Sequence, residues 1–145
     1  MQIKSIELST EQECSKKMLM DYIVAIENAI GIEIETTEGE AIAMCLNHRQ
    51  NLLSTTPRMM EISTAILNWS MGEVAKEILN DDRMLDAKER VIKAYMSGRI
   101  GKWEALFKRA ERCNAALVHS IDALRSLLSR DKEIVRMNSM NGSRI

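Results

Sequence analysis

Aromatic side chains are scarce in this chain of 145 residues: Tyr22, Trp69, Tyr95, Trp103 and Phe107 make up 3% of it. No aromatic-stacking motif accompanies the basic residues, which argues against a single-strand nucleic-acid platform of that kind. Only three cysteines occur, Cys14, Cys45 and Cys113, widely spaced and without a C-x-x-C. An odd count at such spacing excludes a disulfide framework and points to a reducing compartment, with each cysteine serving as a small core residue. Two histidines, His48 and His119, are the only imidazoles. A di-iron bundle would need Glu three residues before a histidine, but position 45 is Cys and position 116 is Ala. Cys45-x-x-His48 sets two ligands one turn apart with no second pair, so neither a metal centre nor an activated thiol is expected.

Glycine and proline are equally thin. The six glycines are scattered, and Gly101-Lys102 is followed by Trp103 where a phosphate-binding loop needs Ser or Thr. No stretch approaches 18 consecutive apolar residues, so no membrane span is expected. The opening MQIKSIELS carries no apolar run of signal-peptide length. The expectation is a soluble, cytoplasmic protein. Glu33, Glu35, Glu38 and Glu40 lie on a connection between helices and read as solvated charge. Nothing supports catalysis, and no cofactor is expected.

What the chain does have is helical periodicity. Over residues 101–137, Trp103, Ala110, Leu117 and Leu124 recur in sevens. Beside them run Leu106, Cys113, Ser120, Leu127 and Ile134, then Phe107, Asn114, Ile121, Leu128 and Val135. Together these positions form one apolar stripe roughly 100° wide. A helix of that extent is about 50 Å long, more than a small domain spans. Asp131 falls within the stripe and marks where its packing would end.

Upstream, Ser9 and Thr10 have Gln12 and Glu13 at capping-box spacing ahead of a first helix, which Gly31 stops. Residues 3–8 and 32–36 read as extended. Thr37 with Glu40 opens a second helix, which Gly39 weakens. The sequence STTP at 54–57 punctuates the chain, with Thr56 as cap and Pro57 as first residue of a third helix. Ser70 and Glu73 suggest a kink or restart within it. A fourth helix, from residues 80–82, carries Leu85, Val91, Ile92, Tyr95 and Met96 and closes at SGRIG, 97–101. The expected fold is all-α: a bundle of four to five helices with a long C-terminal helix. Residues 1–137 form a single helical domain and residues 138–145 a frayed polar tail. The alternative is an extended protomer whose long helix completes its core in an oligomer.

Charge is divided along the chain. Residues 1–87 hold 7 Lys and Arg against 15 Asp and Glu, and residues 88–145 hold 13 against 6. The two halves either pack on each other or mark an interaction surface. Eleven methionines give a soft, adaptable apolar surface, suited to gap filling or to binding other helices. Two functions follow. The first is a non-enzymatic interaction or assembly subunit that binds a helical partner or a second copy through Leu117, Ile121, Leu124, Leu127, Leu128, Ile134 and Val135. The second is a nucleic-acid-associated subunit that contacts phosphates, or an acidic partner, through Arg99, Lys102, Lys108, Arg109 and Arg112.

Overall fold

The computed structural model describes residues 3–32 and 38–142. Of these, 88% are helical and none lies in a strand, so the chain is the all-α protein its periodicity implies. The helices are α1 (Thr10–Gly31), α2 (Gly39–Leu53), α3 (Thr56–Leu79), α4 (Asp82–Leu85) and α5 (Glu89–Gly142). The extended pattern at 32–36 and the Thr37 cap lie, apart from Ile32, outside the described residues.

Local chemistry accounts for some of the helix ends. Ser9 and Gln12 form a reciprocal capping box: Ser9 N–H donates to Gln12 Oε1 at 2.9 Å, and Gln12 N–H to Ser9 Oγ at 3.3 Å. Residues 54 and 55 alone separate α2 from α3. The Thr56 hydroxyl does not cap α3 but donates back to Leu53 O at 2.8 Å. Thr56 is instead the first residue of α3 and Pro57 the second, where a missing N–H still costs no intrahelical bond.

At four places the structure differs from the expectation. Helix α3 does not restart at Ser70 but runs unbroken through it, and that buried hydroxyl donates back to Leu67 O at 2.7 Å. The fourth helix divides. Asp81 accepts the Arg83 N–H at 3.0 Å and nucleates only the single turn of α4, and residues from Glu89 onward belong to α5. Gly98 and Gly101 do not close a helix; α5 passes through both, and no described glycine has positive φ. Of the tail expected at 138–145, residues 138–142 continue α5, and 143–145 lie outside the described residues.

The residues group into two compact units to which α1 and α5 each contribute. The first comprises Met1–Ile23 and Pro57–Arg112. One apolar cluster in it buries Ile6, Val74, Ile78 and Ile100, with Leu67, Trp69, Met84, Ile92, Tyr95 and Met96 packed around them. The second comprises Val24–Thr56 and Cys113–Ile145, and its buried residues include Ile26, Ala29, Ile42, Leu117, Ile121 and Leu124.

Candidate interaction site

Within the second unit, Leu117, Ile121 and Leu124 of α5 are at most 2% exposed. They are therefore held in the chain's own core. Beyond Leu124 the cover thins. Leu128 is half-buried, whereas Leu127 is 43%, Ile134 51% and Val135 61% exposed. At about 100° per residue, Leu124, Leu128, Asp131 and Val135 continue the buried face, and Leu127 and Ile134 line its edge. The expected interaction stripe thus falls into a covered part and a bare part.

Asp131 stands at the boundary for a physical reason. A Cβ built on Gly39 would collide with Asp131 Oδ2 and lie 3.9 Å from Leu128 Cδ1. Glycine permits this approach of α5 to α2, and the carboxylate meets the N-terminal end of α2, where backbone N–H groups lack acceptors. The charge in the apolar register is a contact to another helix, and residues 132–142 beyond it are exposed.

A second polar device holds this unit and was not foreseen. Arg49 lies on the apolar face of α2 and is only 8% exposed. Its guanidinium donates to Ala29 O at 3.1 Å, to Ile32 O at 3.3 Å and to Ser120 Oγ. Helix α1 has no basic residue in its last turn, so Arg49 supplies from α2 the positive charge that this C-terminus favours. The readable signal was an arginine seven residues after Ile42, in the apolar register.

The basic cluster lies in the first unit, and its members do different things. Arg99 turns inward: Nε donates to Glu77 Oε2 at 3.0 Å, a second nitrogen reaches Glu77 Oε1, and the third donates to Lys4 O. Tyr95 OH also donates to Glu77 Oε2, at 2.8 Å. The Arg99 hydrogen bond, helped by Tyr95 and opposed by burial, holds the Glu77 carboxyl below its ordinary range. The same carboxylate pushes the Tyr95 phenol and the Arg99 guanidinium up. Lys102 and Lys16 place their ammonium groups 5.0 and 5.5 Å from the Trp103 ring centre, within cation–π range. Lys108 pairs with Glu104 at 3.2 Å, and Arg112 Nε reaches Lys108 O at 3.4 Å. Arg109 is half-buried. Arg99 is therefore a structural clamp, and the remaining basic groups share their surface with Glu104 and Glu111.

Among the described residues, no cluster of three or more His, Cys, Asp and Glu could hold a metal, and no helix is long and apolar enough to cross a membrane. Shallow clefts line α1 and α3 around Gln12, Arg58 and Glu61, and the N-terminal segment around Lys4, Glu7 and Lys102. No family model, curated protein or solved structure matches the chain.

Proposed function

We propose that this chain is a non-enzymatic helical assembly subunit that associates with a second copy through the distal part of α5. The observation that carries the reading is the continuation of the buried face of Leu117, Ile121 and Leu124 into Val135, with Leu127 and Ile134 along its edge, all three left 43–61% exposed. Full burial of each such side chain favours association by about 1.5–3 kcal/mol, and roughly half of that is still to be gained here. A second copy fits because the stretch carries both charge signs. Arg130, Lys132 and Arg136 stand there beside Asp131 and Glu133, so the two copies do not present a single sign of charge to each other. Methionines at 137 and 140, 56% and 58% exposed, add a deformable margin. The spacing of the three cysteines suits work in the cytoplasm.

Sedimentation of the wild type and of Leu127→Asp with Ile134→Asp tests this reading. The wild type should form dimers at tens of micromolar, a range of about −6 to −7 kcal/mol. The variant should sediment as monomer with its helical signal intact. A monomeric wild type at those concentrations would overturn the proposal.

A further inference from the structure

Residues 3–8 belong to no helix, yet they are held as a bound peptide would be. The Ile6 N–H donates to Arg99 O at 3.2 Å, and the Ile6 carbonyl accepts the Trp103 indole N–H at 3.1 Å. The Lys4 carbonyl accepts from the Arg99 guanidinium. Ile6 is buried with Val74, Ile78 and Ile100. Ile3 rests on Gly98, where an added Cβ would stand 2.9 Å from its Cδ1, 3.2 Å from its Cβ and 3.3 Å from its Cγ2. Main-chain bonds supply attachment, and two isoleucines three apart supply selectivity, which is how extended peptides are recognised elsewhere.

The cleft is built without help from its occupant. Glu77 fixes Arg99 through two nitrogens, Tyr95 fixes Glu77, and a donor is left aimed at a carbonyl. Nor does α1 depend on the segment, because the Ser9–Gln12 box closes the helix start on its own. Detaching residues 3–8 therefore leaves the α1 cap in place and uncovers Val74, Ile78 and Ile100, the apolar surface that an incoming segment would cover again.

We infer that this cleft of the first unit is a recognition site for an extended segment with isoleucines three residues apart. Residues 3–8 fill it in cis, and the same segment of a second copy fills it in trans. Exchange between copies reproduces every contact, so it costs little beyond association itself. Every copy carries both the ligand and the site. This contact is separate from the α5 face and stands whether or not that face associates.

The test uses full-length chains and a labelled synthetic peptide, MQIKSIELS. Ile6→Asp removes the cis anchor and should leave a chain that binds the peptide saturably. The wild type, whose own segment competes at an effective millimolar concentration, should bind at least about tenfold more weakly. Adding Gly98→Val to Ile6→Asp should abolish binding, because the valine occupies the seat of Ile3. Should Ile6→Asp fail to fold, Ile6→Ala serves in its place. In both variants the backbone amide of position 6 should also exchange faster than that of Ile6 in the wild type.

Mixing Ile6→Asp, as acceptor, with Gly98→Val, as donor, then tests the second copy. Both carry Leu127→Asp and Ile134→Asp to silence the α5 face, and the mixture should give a 1:1 heterodimer that neither forms alone. Peptide binding indifferent to Ile6 and Gly98, or absent from a folded acceptor, overturns the site. Peptide binding without a heterodimer overturns exchange between copies. Neither result bears on the α5 face, which the wild-type sedimentation decides.

Discussion

Replacing Arg49 with methionine removes a guanidinium while keeping an apolar stem of similar length. The structure sets the size of the loss. Arg49 is 8% exposed, and two of its bonds go to Ala29 O and Ile32 O at the end of α1. Ala29 is among the last four residues of that helix, whose carbonyls lack intrahelical donors. Leaving the buried Ala29 acceptor unpaired costs about 1–3 kcal/mol, and the Ile32 carbonyl, on a residue 61% exposed, costs less because water reaches it. Loss of a cation at a helix C-terminus adds about 0.3–1 kcal/mol. Against this, the variant no longer keeps a guanidinium out of water, an offset of several kcal/mol when charge is fully buried and less at this exposure. The net loss is about 2–3 kcal/mol. With an m-value of about 2 kcal/mol/M in urea, the unfolding midpoint of the second unit should fall by about 1–1.5 M. Arg49→Lys should recover no more than about half, because an ammonium cannot present a planar fork to separated acceptors. Hydrogen exchange at the C-terminal turn of α1 should quicken in both variants. A midpoint for Arg49→Met within about 0.3 M of the wild type would refute the reasoning and make the cluster a mere consequence of packing.

Leu124→Asp, at a site 2% exposed, should unfold the second unit with loss of helical signal, whereas Leu127→Asp, at a site 43% exposed, should not; equal circular dichroism spectra for the two would contradict the burial boundary. Because the folded-state pKa of Glu77 lies below its unfolded value, its clamp contributes stability that is present above the unfolded carboxylate range and lost as pH falls through the folded value. Tyr95, shifted upward, contributes below its unfolded value and loses that as pH rises through the folded one. Glu77→Gln should therefore flatten the acid limb of a stability profile and speed exchange at the Ile6 amide; an unchanged acid limb would count against the clamp. Since Arg99 is committed to Glu77 and Lys108 to Glu104, binding of heterologous RNA should be weak. A salt dependence of several logarithmic units per decade, flattened by Arg109→Ala with Arg112→Ala, would instead favour phosphate contact.

What residues 1–145 determine by themselves is whatever rests on neighbours within a turn or two. The periodic stripes make the chain helical, Ser9 with Gln12 starts α1, and the heptads through Leu117, Ile121 and Leu124 mark an apolar face. Those interactions span three or four residues, so composition and spacing suffice. Gly98 and Gly101 were misleading for the opposite reason. A glycine weakens a helix locally, but at position 98 it also admits Ile3, some ninety residues away in the chain, and that contact exists only in the fold. Asp131 in the apolar register was visible, whereas its seat against Gly39 was not. Arg49 and Arg99 look alike as basic residues on a helix, yet one closes the end of α1 and the other grips Glu77 and the N-terminal segment. Sequence spacing places a charge on a face of its own helix. Only the tertiary arrangement decides which acceptor that face meets, because a long flexible side chain takes its role from groups far away in the chain.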